Sequence, residues 1–437
     1  MGWAMPSPVG KQGKTLTCSP VRTMAKADFR GCGFAVLLAL AACVGEVEPG
    51  GRDGGLLSDG GGDVPGADGG TGSPDGGSTP DAGDGGGGGG DGGNPSLRGV
   101  FVAIGYAART TISCDDGRTW IANQSGDDNL RCFQPQPDGG NGDCDHKFEP
   151  GRGITFGNGT FLANFGWGDP GTLRRSTDGV NWQVVERGKT YASSAYGNGR
   201  FVAINNETSV SVNGGTTWTS VYTPASANVR RGAFGGNDGG VFVLVADGPY
   251  AARSVDGLNW TAATTLPSSC GQDIQWSGGI ASANGALVMV EGNGYACRST
   301  DNGATWVGAS MGGSVTGRLV HTGTVYQTYG RLPSGQSVRF QSADGLSWTT
   351  TPLQLRVRNA DGTVTVSNNG PILGPVARSG SGTWVGVNEG WQVWYEQQRF
   401  YRSDDGVIWD QLAPGTFTPS HPMTHILWAE TMTSACP

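Results

Sequence analysis

Ser113-Cys114-Asp115-Asp116-Gly117-Arg118-Thr119-Trp120 returns, complete or one residue shorter, at Ser176, Ser211, Ser254, Ser299, Ser342 and Ser403. The copies close at Trp182, Trp218, Trp260, Trp306, Trp348 and Trp409. The shared pattern is Ser-x-Asp-(x)-Gly-x-x-Trp, with Asn213 replacing Asp once. Successive closing tryptophans lie 36 to 62 residues apart. Self-similarity at such a step marks a repeat architecture, in which each unit buries its apolar face only against its neighbours.

Each residue type in the phrase has a task. The Asp or Asn side chain accepts hydrogen bonds from backbone N–H groups just downstream and closes a turn. The Gly supplies a positive φ, the Ser hydroxyl a second local partner. The Trp offers a large apolar surface with one N–H to satisfy. The set closely resembles the Asp-box, or bacterial neuraminidase repeat, of sialidases and many other secreted β-propellers. That resemblance implies a structural turn remote from any active site, so Asp115, Asp178, Asn213, Asp256, Asp301, Asp344 and Asp405 are expected to keep turns.

Between the boxes the chain reads as short strands. In the second copy Gly153-Ile154-Thr155-Phe156 and Thr160-Phe161-Leu162-Ala163-Asn164-Phe165 flank the hairpin turn Gly157-Asn158-Gly159. Thr172 to Arg175 enters the box, and Asn181 to Val185 leaves it. Four strands, A to D, in 40-odd residues without helical periodicity describe a propeller blade. The first copy begins at strand B, and the segment Met423 to Glu430 is left over to supply the missing strand A. The expected fold is therefore all-β: a seven-bladed β-propeller of four-stranded antiparallel blades over residues 97–437, closed by the C-terminal strand.

Upstream, Lys26 and Arg30 precede an apolar run from Phe34 to Ala42 that is too short to span a bilayer. It ends Leu40-Ala41-Ala42-Cys43 and looks like a bacterial lipobox. By that resemblance Cys43 is lipidated, residues 1–43 are leader and signal, and Met24 competes with Met1 as the start. Residues 44–96 are mostly Gly, Asp, Pro and Ser, too poor in apolar surface to order. As a Gly-rich tether they would span about 40 Å. Localisation in a bacterial envelope follows, at the outer membrane, periplasmic or surface-exposed, with the lipid anchor as the only membrane contact. The leader's +4 and the tether's −9 leave −3 of the chain's net −8 for 97–437. That near-neutral domain argues against nucleic acid as a partner, and a monomer is expected.

Six cysteines lie beyond the leader: Cys114, Cys132, Cys144, Cys270, Cys297 and Cys436. An even count in an exported chain points to disulfides, whose pairing stays open. Neither they nor His421 and His425 have metal-ligand spacing, so no metal or cofactor is expected, and the histidines read as structural or surface residues.

The long irregular pieces, 123–150, 166–171, 329–336, 351–371 and 389–399, all map to B–C or D–A connections, opposite the boxes. Loops of that length usually carry function. Aromatic and charged residues gather there, as sugar recognition requires. The candidate ligand site comprises Trp167, Tyr250, Glu291, Tyr295, Glu389, Trp391 and Trp394, with Arg152 and Arg230 nearest the axis. The leading reading is a non-catalytic propeller that binds a glycan or an envelope or extracellular protein. The alternatives are a sialidase-like glycoside hydrolase, with no catalytic residue assigned, and a structural envelope protein. The Arg-Ile-Pro phrase that opens sialidase domains is absent, and seven boxes in seven blades are more regular than the sialidase pattern.

Overall fold

A computed structural model of the chain describes residues 97–105, 108–123, 150–166, 171–222, 228–271, 278–358, 361–388, 400–412, 423–433 and 436. Seven antiparallel sheets follow one another along the chain. Blade 2 runs from inside to outside as Gly151–Gly157, Thr160–Phe165, Thr172–Ser176 and Gln183–Arg187. Blades 3, 4 and 5 repeat this order from inner strands Ser193–Gly197, Val229–Gly235 and Gly278–Ala283. Blade 6 splits its inner strand into Ser314–Val315 and Val320–His321. Blade 7 starts at Leu373–Arg378.

Blade 1 takes its inner strand from the far end of the chain. Met423–Met432 pairs with Leu97–Gly105 in the sheet that continues through Thr110–Ser113 and Ile121–Asn123. The innermost segments touch in a closed circuit, with Thr316 and Gly317 of blade 6 meeting Leu373 and Gly374 of blade 7, and the C-terminal strand between those of blades 7 and 2. Closure removes the exposed edge of an open array. A disulfide from Cys114, inside the first box, to Cys436 ties the chain end to its blade. Cys270 pairs with Cys297 within blade 5, while Cys132 and Cys144 lie outside the described residues, as do the leader, Cys43 and the tether.

Burial explains the strand sequences. Second strands such as Thr160–Phe165, Val241–Ala246 and Ala286–Glu291 are buried at every position. Neighbouring blades cover both of their faces, so the hydrophobic pattern runs continuously instead of alternating. Outer strands such as Gln183–Arg187 are exposed or half-buried.

The seven boxes share one hydrogen-bond plan. The buried Ser hydroxyl donates to the Asp or Asn Oδ1 at 2.8–3.0 Å. The Ser Oγ in turn accepts the Gly N–H at 2.8–2.9 Å. Oδ1 then takes one or two further backbone N–H groups, as Asp178 does from Val180 and Asn181. Five of the tryptophans return Nε1–H to the Gly carbonyl. The Gly has φ between 70° and 83° throughout, and it also lies hard against the preceding blade. A Cβ on Gly117 would stand 2.4 Å from Val385 of blade 7, and one on Gly345 2.4 Å from Val288 of blade 5. The eight-residue boxes place their additional residue, Asp116, Gly214 or Asn302, at positive φ. Asp116 accepts from Ser381 and Thr383 of blade 7, and Asn302 exchanges hydrogen bonds with Asn237 of blade 4.

Arginines bind the boxes from the other direction. Arg175, Arg200, Arg253, Arg339 and Arg402 each donate to main-chain carbonyls of the next blade's box. Arg402 crosses from blade 7 to Asp116 of blade 1, at the ring's seam.

One expectation needs correction. Residues 351–371 are not an irregular loop over the channel face. Gln354–Arg358 and Val364–Ser367 form a hairpin that pairs, in parallel, with the outermost strand of blade 7, Ile408–Gln411. Leu355 thereby packs with Leu353, Tyr329, Trp384 and Trp409, leaving Trp409 fully buried. Covering that Trp moves the segment to the periphery, the point of the sheet farthest from the axis.

The boxes yield a paired test. Asp301 Oδ1 accepts Ser299 Oγ and the Thr305 N–H, and Oδ2 accepts Thr305 Oγ1. Asn213 reproduces this, with its Nδ2 donating to Thr217 Oγ1. Asp301→Ala should therefore cost about 1–3 kcal/mol and Asp301→Asn less than about 1 kcal/mol in urea unfolding. Equal losses would remove the assigned role of Oδ1.

Candidate functional site

All seven inner strands line one axial channel of about 360 Å³. Its wall holds Arg152, Arg231, Arg318, Arg378 and His425, with no carboxylate among the described lining residues. Strand register sets where each side chain stands. Gly157 pairs with Thr160 at the A–B turn, and Phe161 pairs with Ser176 of the box, so those turns and the boxes share one face. Gly151 pairs with Phe165 at the opposite end. Arg152 and Arg231 sit near that opposite end of their strands, as does His425 in the closing strand. Arg378 ends its strand, at the box face, with its guanidinium 5.9 Å from the Trp384 ring centroid.

The cationic cluster is half-buried: Arg231 is buried, and Arg152, Arg318 and His425 are partly exposed to the channel. Arg318 points an Nη2–H at His425 Nε2, which makes Nε2 the acceptor and puts the ring proton on Nδ1, beside Thr424. Burial pushes the Arg318 guanidinium down to about 10, with Arg231 and Arg152 adding like-charge repulsion. Burial, then Arg318 and Arg152, hold His425 well below the usual imidazole range. Arg231 donates Nη1–H to the Val290 carbonyl at 3.1 Å and pairs through Nη2 with Glu291 Oε2 at 3.2 Å. Both members are almost wholly buried. Thus three guanidiniums converge at one channel end, where Arg231 and Arg152 repel Arg318. An anionic group brought among them would relieve that repulsion.

The candidates named from sequence divide. Arg152 lines the channel, and Glu291 reaches it through Arg231. Arg230 does not line the channel, contrary to the expectation that it lies nearest the axis. It is the additional residue of a bulge between Val229 and Arg231, and it forks onto Asp247 at 2.5 and 2.6 Å. Arg152 occupies the same bulge in blade 2, where Gly166 replaces Asp247 and offers no side chain. Tyr250 packs against the blade 4 core. Tyr295 opens the third strand of blade 5 and lies over Gly271. Neither lines the channel. Trp167, Glu389, Trp391 and Trp394 lie outside the described residues.

Arg318 and His425 were missed as site residues. Their signal was position: each falls in a segment read as an inner strand, like Arg152. His425 was instead read as structural or surface-facing, yet it is enclosed in the channel wall.

Near blades 2 and 3, the Tyr191 phenol donates to Glu186 at 2.5 Å and lies 2.6 Å from Ser209 Oγ. Lys189 bridges Glu186 and Glu207 at 3.2 and 2.8 Å. Burial first, then the Glu186 carboxylate, raises the phenol far above its usual range. Tyr191 is thus held protonated, as a buried donor and not a nucleophile. Among the described residues no cluster of three or more His, Cys, Asp or Glu could hold a metal.

The channel makes folding pH-sensitive. Unfolded, His425 binds a proton near 6.5; folded, it stays neutral well below that. The unfolded chain therefore holds the additional proton in this window, and stability falls as pH drops below about 6.5, by up to about 1.4 kcal/mol per pH unit. The half-buried His321 adds in the same direction. Below about 4 the boxes contribute. Burial opposes ionisation of Asp301, but its hydrogen bonds prevail and hold it at about 2, so its stabilisation is lost as pH falls through that range. Urea midpoints measured from pH 7 to 5 should fall for the wild type and fall less for His425→Gln. Identical slopes would contradict the placement of His425.

No protein-family profile and no curated protein matches the chain. Solved structures similar to it include YCF48 from Cyanidioschyzon merolae, at 14% identity over 61% of this chain and 85% of that one, with TM-score 0.43. Apo AztD from Citrobacter koseri is 10% identical over 77% and 99%, with TM-score 0.42. BamB from Moraxella catarrhalis is 13% identical over 55% and 81%, with TM-score 0.36. At such identities and TM-scores the likenesses assign no activity.

Proposed function

We propose that this chain is a binding propeller, not an enzyme, which takes an anionic group of its ligand into the channel end opposite the boxes. The observation that carries this reading is the convergence of Arg152, Arg231 and Arg318 with His425 on one channel wall. A buried guanidinium gains a charge-assisted, bidentate partner when a carboxylate, sulfate or phosphate enters. The ligand class is an acidic glycan or an acidic segment of an envelope or extracellular protein. Lipidation at Cys43 and the long tether would present the channel mouth away from the membrane surface.

Binding is favoured over glycoside hydrolysis on chemical grounds. Most glycoside hydrolases use two carboxyl groups facing one bond, and sialidases use a tyrosine nucleophile. Here Glu291 is committed to Arg231, and the Tyr191–Glu186 pair holds a protonated phenol away from the channel wall.

Polygalacturonate and polyglutamate serve as probes at physiological salt. Either should bind the wild type, and Arg318→Gln or Arg152→Gln should weaken the binding about tenfold or more without loss of the folded state. Binding that is unchanged in both variants would overturn the reading.

A further inference from the structure

Blade 7 carries the hairpin that no other described blade has, and its two strands differ in what they do. Gln354–Arg358 pairs with the blade and buries Leu355 over Trp409. Val364–Ser367 contributes to no core cluster and is exposed at Val364, Thr365 and Val366. It is the outermost strand of a six-stranded sheet, with a free edge. Covering the core accounts for the first strand only.

That edge is regular, and no described residue covers it. Thr363 donates its N–H and hydroxyl to Asp361 Oδ1 at the tip, at 2.9 and 2.6 Å. Gln354 donates to Asn368 at the base, at 3.0 Å. The pairing from Leu355–Ser367 to Arg358–Val364 runs without a bulge, and the strand holds neither Lys nor Pro. Proteins normally blunt exposed edges with such devices. Among the other outer strands Thr219–Tyr222 and Val307–Ser310 carry neither, but Thr349–Pro352 ends in Pro, and Gln183–Arg187 carries charge at its end. Val357, Val364 and Val366 are instead left 39%, 47% and 51% exposed.

We propose that the Val364–Ser367 edge is a β-augmentation site for an extended segment of a partner protein that alternates β-branched and acidic residues. The backbone edge supplies the main-chain ladder. Alternation follows from the period of two along a strand. Val364 stands directly opposite Arg358, and Val366 opposite Arg356, so that face would take the acidic residues of the segment, and the face of Val357 and Thr365 the β-branched ones. Arg356 is already matched by Asp410 at 2.6 Å, which leaves Arg358 as the main cationic contact for an incoming acidic side chain. A second copy of this chain fits less well. Self-pairing would gather the arginines of two hairpins on one sheet surface.

The test uses short labelled peptides alternating Val with Glu or Val with Lys, titrated into the full chain by fluorescence anisotropy. The Glu peptide should bind at least about tenfold more tightly than the Lys peptide. Val366→Lys, which adds a cation on the same face, should strengthen binding of the Glu peptide and weaken that of the Lys peptide, and Arg358→Glu should reverse the preference. Unchanged melting temperatures would mark both as surface effects, since the outer strand touches no core cluster. Equal binding of the two peptides, no binding of either, or retained preference in Arg358→Glu would overturn the proposal. So would concentration-dependent dimerisation that Val366→Lys removes, because the occupant would then be a second copy.

Discussion

The box glycine, pressed against the blade before it, is the contact on which the ring depends. Its positive φ turns the chain within its own blade, and its missing Cβ admits Val385, Val102, Val202 or Val288 from the neighbour. Local turn chemistry and inter-blade packing therefore share one atom position. The Ser and Asp hold that glycine from inside the blade, and arginines of the preceding blade hold the same turn through its carbonyls. A repeat fold gains stability chiefly from such nearest-neighbour interfaces. The glycine contact recurs at every blade and the arginine contact at five junctions, including the seam between blades 7 and 1.

That division of labour frees the other face. Turns that must pack in register cannot vary, so the box face is short and uniform. The connections at the opposite face carry no such duty, and the inner strands that begin there can hold charge. Arg152, Arg231, Arg318 and His425 come from blades 2, 4, 6 and 1, and only a closed ring brings them to one wall. Function in this reading is a product of closure: four residues, each unremarkable on its own strand, form a cationic end of the channel.

Much of the fold was legible because the box is a local pattern. Seven copies of Ser-x-Asp-(x)-Gly-x-x-Trp count the blades, and the surplus strand after Met423 accounts for the missing strand of blade 1. The site was less legible because its members are far apart in sequence. Arg152 was found by its place at the start of an inner strand. Arg230 was preferred over Arg231 because nothing local showed that Asp247 would capture it. His425 was discounted because spacing to other ligands was sought, whereas its partner is Arg318. The hairpin was overlooked for a different reason. Leu355, Val357, Val364 and Val366 alternate as strands do, but a four-strand template had no place for them.

Hydrogen exchange on Gly345→Ala measures the box joint most directly. If the glycine joins two blades, the variant should lose protection in Ala286–Glu291 of blade 5, whose Val288 the new Cβ would strike, as well as in its own turn. Loss confined to residues 342–348, with blade 5 exchanging as in the wild type, would contradict it.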